Sequence, residues 1–390
     1  MRIAMVASSH KVDDDRITHK QAFSLANTGH QVAVFGLKPI IPPSHSGVEF
    51  HVLEPSGSGL RRRLSMLKLL YDRVVAWCPD VVTCHEPDSA VLGLRIRRKT
   101  GAKVVFDTHE SFEETFAERV SPLMRPPVRW AVRQALRFFG RRYDWVTVVS
   151  PVNWDFYAMF RSTSTMSIIH NSPRMELFPP CTHEAQGPLT LVHDGYLYRN
   201  RGMVEILEAL AIVRKSIDVR LLVVGCVLSE ERPLFDQKVE ELDLKEIIEI
   251  PGWRPCEEVG LLESKGQIGL IALQPRPNAM KSLNHKFYNY MSCAQPVIAP
   301  IDSATEMMVR KYDCGICIDT TQPKQIAEAV LKLAQDTELR KHYGAKGRRA
   351  IEEELGWHMM EKELARIYAA LAPSAGELDR QRILCSTENA

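Results

Sequence analysis

Short apolar runs recur along the chain: IAMVA (3–7), QVAVFG (31–36), DVVTC (80–84), KVVFD (103–107), WVTVVS (145–150) and SIIHN (167–171), each separated from the next by amphipathic segments. A proline-rich stretch, PRMELFPPCTHEAQGP (173–188), interrupts this pattern. It resumes with LTLVHDG (189–195), RLLVVG (220–225), IIEIPGW (247–253), IGLIAL (268–273), PVIAP (296–300) and GICID (315–319). Runs that are apolar at successive positions belong to strands covered on both faces, and their alternation with helices predicts parallel sheets. Two such series predict two doubly wound α/β domains, over 1–175 and 188–356. The first helix shows the reading at work: RITHKQAFSLANTGH puts Ile17, Ala22, Leu25 and Ala26 on one face toward the sheet, and Gly29 stops it. Periodicity ends after Pro373, so 373–390 is expected to be a disordered tail.

Composition agrees with two ordinary domains: 390 residues, 45% of them hydrophobic, are ample for two cores. No run of about 18 uncharged apolar residues occurs, and the N-terminus turns polar too early for a secretory signal, which predicts a cytoplasmic protein. The nine cysteines are scattered, several inside apolar runs, and read as small buried hydrophobes; Cys314 and Cys317 form a lone CxxC without a second pair. The net charge of +2 hides an asymmetry, since residues 1–180 hold 24 Lys and Arg against 17 Asp and Glu, and the remainder 26 against 31. A basic N-terminal half predicts an anionic partner, either a membrane surface or a phosphate-bearing substrate.

In open parallel sheets ligands bind outside the carboxyl ends of the strands. Polar residues cluster there: Ser8, Ser9 and His10 after the first strand, His85 and Glu86 after the third, Asp107 and His109 after the fourth. The second series repeats this with Gly195, Gly225, Gly252 and the loop before Lys286. No GxGxxG follows a strand, no GxxxxGK[ST] is present and no GxSxG elbow occurs, so dinucleotide, P-loop and hydrolase chemistry lack their motifs.

Several segments together resemble the family-4 retaining glycosyltransferases (glycosyl transferases group 1). They are GHQVAVFG, DTHESFEE, TVVS, GYLYRNRG, LLVVG, IPGW, PVIAP and LGWHMMEKELARIYAAL. The resemblance implies a GT-B architecture, two facing Rossmann-like domains with an interdomain cleft, the first for the acceptor and the second for the nucleotide-sugar donor. It also implies a C-terminal helix (357–372) that packs back near the N-terminal domain. The family's donor helix usually carries Glu, seven residues, then Glu, before an apolar strand. Here Ser282 and Asn289 stand at those two positions, and Lys286 precedes the Tyr-Met pair, as in a variant of the family. By resemblance Asn289 faces the nucleotide ribose and Ser282 the donor sugar. An amide still hydrogen-bonds hydroxyls, though without charge.

A departing nucleoside diphosphate develops negative charge, which fixed cations and amide dipoles stabilise. Arg201 matches the family's lysine before Gly202, and Lys286 is a second clamp; a solvated loop arginine and an exposed helix lysine are the plain alternatives. Gly195, Gly225, Gly252, Trp253, Ser303 and Glu306 complete the donor side expected from the resemblance, with Glu306 alternatively a favourable acid in a first helical turn. His109 is expected at the reacting centre, with Asp107 and Glu110 as scaffold. Ser9, His10, Asp15, Arg16, Lys20 and His85 are acceptor-side candidates, with a solvated charged loop as the alternative for Asp15, Arg16 and Lys20. The expected activity is sugar transfer from a UDP-sugar cosubstrate to a saccharide, lipid-linked saccharide or small-molecule acceptor. It would run with retention and without metal or further cofactor, in cell-envelope or exopolysaccharide biosynthesis or on a specialised metabolite. A catalytically weak saccharide- or protein-binding relative and a nucleotide-sugar epimerase are the alternatives. Finally, Arg125, Arg129, Arg133, Arg137 and Arg141 recur every four residues among bulky apolar ones. Such a stripe suits the anionic inner face of the cell membrane or an ordinary surface helix; no nucleic-acid module accompanies it.

Overall fold

All twelve apolar runs become strands in the computed structural model, which describes residues 1–40, 42–184, 187–374, 376–377 and 384–385. The chain divides into two units, Met1–His170 with Met359–Ala390, and Asn171–His358. In the first unit β1 (Arg2–Lys11), β2 (Gln31–Leu37), β3 (Val48–Val52), β4 (Val81–Cys84), β5 (Lys103–Thr108), β6 (Trp145–Val148) and β7 (Met166–Ile168) form one sheet in the order β3-β2-β1-β4-β5-β6-β7. In the second, β8 (Leu189–Asp194), β9 (Val219–Val224), β10 (Ile248–Glu249), β11 (Ile268–Leu270), β12 (Val297–Pro300) and β13 (Gly315–Ile318) are ordered β10-β9-β8-β11-β12-β13. Every pairing is parallel. In both sheets the strand order reverses beside the first strand of the unit, between β1 and β4 and between β8 and β11. That switch point is where side chains at strand ends can surround a ligand without meeting a crossover helix.

The unit cores form as a parallel sheet requires. In the first, Val6, Phe35, Val82 and Phe106 of the strands meet Leu70, Val74 and Ile96 of the helices Gly59–Trp77 and Pro87–Thr100. Each such side chain contributes about 1.5–3 kcal/mol on burial. In the second, Leu191, Val223, Leu270 and Ile298 meet Ile206, Leu210, Ile326 and Val330.

β3 has no counterpart among the apolar runs, because VEFHV alternates: it is the edge strand, and only Val48 is fully buried. The first crossover helix also differs from expectation. It opens as a wide i→i+5 helix, Asp15–Ala22, that buries Arg16, Lys20 and Gln21 beside the expected Ile17 and Ala22. Residues Met359 onward return to the first unit, where Tyr368 meets the Thr83 hydroxyl at 2.5 Å and Glu361 accepts from Ser24 at 2.7 Å. Most of the expected tail lies outside the described residues; Cys385 is described, and its sulfur is bonded to that of Cys78.

The arginine stripe is not uniform. It lies on the helix Arg125–Gly140, but Arg129 is held by Glu114 at 2.8 Å and Arg133 by Glu113 at 3.8 Å. Both reach the neighbouring helix Phe112–Glu118, Arg133 while keeping solvent access. Among the described residues no helix is long and apolar enough to cross a membrane.

Candidate functional site

β8 ends on Asp194 at the switch point of the second sheet, and the chain turns there through Gly195, at φ 78°. A Cβ at Gly195 would lie 3.2 Å from Lys286 Nζ and 3.3 Å from Arg201 Nη1, so two cations face one point above a bare backbone turn. Gly225, at the end of β9, backs this turn so closely that any side chain would overlap the Gly195 backbone. Arg201 reaches the site from the short 3-10 turn Arg199–Arg201, its Nη1 donating to the Tyr196 carbonyl at 3.4 Å.

Lys286 sits in the first turn of the helix His285–Ser292 and is 1% exposed. Its Nζ has no hydrogen-bond partner among the described residues. Burial pushes the ammonium down to about 7, against the pull of Asp194 and with the repulsion of Arg201. The plain alternative of an exposed helix lysine is thereby overturned. Burial would also raise the Asp194 carboxyl, but His285, 2.9 Å away, and Lys286 hold it well below the usual range. The Asp194 N–H donates to the Tyr290 hydroxyl at 2.9 Å. Burial and the charge of Asp194 push the Glu263 carboxyl well above its usual range. The Asn289 amide bridges the two acids, donating to Asp194 at 3.3 Å and Glu263 at 3.1 Å. Burial and Lys286 keep His193 neutral, its Nε2 3.2 Å from the Tyr196 carbonyl.

Asn289 therefore points inward and shares out a single negative charge between two carboxyls. It does not present its amide to a ligand as expected. Ser282 also differs: it lies in the break between the helices Pro277–Lys281 and His285–Ser292, its hydroxyl donating to the Asn278 carbonyl at 2.8 Å. Ser303 and Glu306 build their own turn. The Ser303 hydroxyl accepts from the Glu306 N–H at 3.1 Å, Glu306 accepts from the Asp302 N–H at 2.6 Å, and it pairs with Arg310 at 2.7 Å. Trp253, next to Gly252, is exposed and meets the Tyr196 ring edge-on at 4.9 Å. An aromatic pair thus stands on the residue whose carbonyl holds Arg201.

In the N-terminal unit the switch point is organised by two buried carboxylates. Glu86 accepts from the Ser8 and Ser9 N–H groups and the Ser9 hydroxyl, each at 2.9 Å, and lies 2.9 Å from His10 Nδ1. Burial works against the His10 imidazolium, yet Glu86 raises it to about 9. Asp107 accepts from Arg16 at 3.0 and 2.8 Å, Gln21 at 2.8 Å, His85 at 3.1 Å and Thr147 at 2.6 Å. Despite burial, Arg16 and His85 hold it well below the ordinary range. His109 lies 5.1 Å from the His10 ring, and burial keeps it neutral against the pull of Asp107.

This arrangement corrects part of the acceptor-side expectation. His85 is fully buried and Arg16 nearly so, both bound to Asp107, while Lys20 is buried and paired with Asp15 at 2.6 Å. Arg16 and Lys20 are committed to these ion pairs and His85 Nδ1 to Asp107, so in the structure the three hold the scaffold of the site together. Ser9, His10, His109 and Asp15 keep solvent access. Among the described residues no group of three or more His, Cys, Asp or Glu side chains is placed to hold a metal ion. Asp194, Glu263, His193, His285 and Tyr290 were absent from the residues picked by sequence. Asp194 was within reach of the strand-end rule; Glu263, the last residue of the helix Cys256–Glu263, carries no such signal.

Known proteins match this layout. Residues 15–155 match the family model described as glycosyl transferase 4-like domain, and residues 181–350 that of glycosyl transferases group 1. An uncharacterized glycosyltransferase of Methanocaldococcus jannaschii is 29% identical over 90 residues, 23% of this chain and 23% of that protein. The match thus spans less than a quarter of that curated relative. Sucrose-phosphate synthase from Thermosynechococcus elongatus superposes with a TM-score of 0.76 at 18% identity, covering 95% of this chain and 99% of that one. HepE from Anabaena, solved with UDP, gives 0.71 at 14% identity over 95% of this chain and 100% of its own; it has also been solved with UDP-glucose. These two likenesses establish the fold as GT-B.

Proposed function

This chain belongs to the glycosyl transferases group 1 family, with a glycosyl transferase 4-like N-terminal domain, and on that premise we propose that it moves a sugar from UDP to an acceptor hydroxyl with retention at the anomeric carbon. The observation that carries the proposal is the buried, unpartnered Lys286 ammonium converging with Arg201 above Gly195. A buried cation without an acceptor is costly, and an arriving diphosphate supplies the missing anion. As the bond from the sugar carbon to the phosphate oxygen breaks, charge grows on that oxygen, and two fixed cations stabilise it without reorganising. Arg201 offers a planar fork and Lys286 a point charge. We assign this stabilisation to these two side chains, without a metal ion or further cofactor. Tyr196 and Trp253 supply the nearby aromatic surface for the base. The UDP and UDP-glucose complexes of HepE, a protein of the same fold, support the choice of donor.

The acceptor is assigned to the N-terminal unit, where Ser9, His10 and Asp15 reach solvent and neutral His109 adjoins the cationic His10. A saccharide or lipid-linked saccharide of cell-envelope or exopolysaccharide assembly fits these polar groups best. Proton NMR of the product tests the stereochemistry: retention is expected, and inversion would overturn the proposed reaction.

Donor binding should depend on pH with a defined sign. UDP binds the protonated Lys286, whose pKa in the free protein is about 7. Above that value each bound UDP must take up a proton, so the affinity for UDP should fall toward a limit of roughly tenfold per pH unit, or about fiftyfold between pH 7 and pH 9. Calorimetry in buffers of different ionisation enthalpy measures both the affinity and the proton uptake. An affinity flat from pH 7 to 9 would separate Lys286 from the diphosphate.

A further inference from the structure

The helix Arg125–Gly140 has two apolar faces, and among the described residues only one packs on the core. Leu136 belongs to the N-terminal core, with Val132 and Phe139 packed against it. The opposite side presents Trp130, 66% exposed, and Phe138, 54% exposed, and the turn before the helix adds Leu123, 90% exposed, and Met124. Clustered exposure of large apolar side chains on a folded unit marks an interaction surface.

Within the segment that carries this face the charges are all of one sign. Residues 119–142 contain seven arginines and no acidic residue. With Arg129 and Arg133 held by Glu114 and Glu113, the exposed cations are Arg137, Arg141 and Arg142 at the end of the helix, and Arg119 before it. The Arg142 guanidinium covers the Phe138 ring at 3.6 Å, and Arg119 lies 5.5 Å from the centre of Phe116. Cationic heads beside half-exposed aromatic rings are the arrangement found where an apolar layer meets an anionic one. The basic surface also continues sideways. Arg97 donates to the Arg142 carbonyl at 2.9 Å, and on the same helix Arg95, Arg98 and Lys99, with Lys68 opposite, rim a groove of about 950 Å³.

We propose that this face seats the protein on an anionic phospholipid bilayer, with Leu123, Met124, Trp130 and Phe138 entering the boundary between headgroups and acyl chains and the arginines meeting lipid phosphates. The sign of the charge selects this occupant over a second copy of the chain. A symmetric dimer through this face would set each copy's exposed arginines against the other's, with no acid within 119–142 to neutralise them. The inference goes beyond sugar transfer and does not require it.

The test is sedimentation of the full chain with vesicles of phosphatidylcholine alone, or with one third phosphatidylglycerol, at low and high salt. Binding is expected only to the anionic vesicles, weakened by salt. It should fall at least about tenfold in Trp130→Ala/Phe138→Ala and in Arg141→Glu/Arg142→Glu. Thermal unfolding checks that these exposed changes leave the fold intact. If one of them fails to fold, brominated-lipid quenching of wild-type tryptophan emission, lost in Trp130→Phe, reads the same contact. The proposal is overturned if the folded wild type stays in the supernatant with anionic vesicles, or if both double variants bind as well as wild type. A wild-type dimer that Trp130→Ala dissociates would likewise overturn it, by giving the face to a second copy.

Discussion

Replacing Lys286 by methionine is expected to weaken UDP binding by at least about tenfold and to slow sugar transfer by at least about a hundredfold, the usual cost of removing one preorganised charge-stabilising donor. The C-terminal unit should remain as stable as before, or become more so. The folded-state pKa of Lys286, about 7, lies below the ordinary lysine value. Between the two the unfolded chain binds more protons than the folded one, so stability rises with pH from about 7 to about 10.5. Below pH 7 the fold carries the full cost of a buried ammonium, which methionine of similar length removes. Thermal unfolding with and without UDP measures both effects in one experiment. A variant that melts earlier and responds to UDP as the wild type does would make Lys286 a structural residue.

The second large effect is expected in the N-terminal unit. Asp107→Asn should destabilise that unit by about 3–5 kcal/mol, because it strands the Arg16 guanidinium in the interior. Arg16→Met should cost less, since Asp107 keeps its donors Gln21, His85 and Thr147. The double variant should recover part of the loss relative to Asp107→Asn. Urea unfolding followed by hydrogen exchange in β1 and β5 checks this order. The pH signs differ within the unit. Asp107 has a depressed pKa, so its contribution is present above the ordinary carboxylate range of about 4 and is lost as pH falls through the lower folded value. His10 is raised to about 9, so its contribution is full below about 6.5 and is lost as pH rises through about 9. Equal destabilisation by Asp107→Asn and Arg16→Met would show that the stranded charge is not the cause.

What the sequence made legible follows from what each residue can signal by itself. Twelve strands were readable because each lies in an apolar run, whereas β3, an edge strand in which Glu49 and His51 alternate with apolar residues, left no such run. Gly195 was readable from its place after a strand, whereas Arg201 and Lys286 stood out only through the family resemblance, since a loop arginine and a helix lysine have plain alternatives. The interior networks were not. His85 follows a strand as His10 and Ser9 close one, and Arg16 opens the next helix; only three-dimensional packing around Asp107 decides that His85 and Arg16 are enclosed. Asn289 shows the same limit. Its type suits a sugar hydroxyl, but Glu263, 26 residues earlier, captures its amide. A glutamate in the last turn of a helix gives no sequence sign of being buried beside Asp194.

The central claim is that Arg201 and Lys286 bind the diphosphate of a nucleotide sugar, and a calorimetric titration of UDP against uridine at pH 7 tests it most directly. UDP, GDP and ADP run in parallel show which base is preferred. UDP should bind at least about a hundredfold more tightly than uridine, since each charge-assisted contact to phosphate adds about 1.5–3 kcal/mol. That advantage should vanish in Arg201→Ala/Lys286→Ala. Uridine binding as tightly as UDP, or a folded protein that binds no nucleoside diphosphate, would contradict the account.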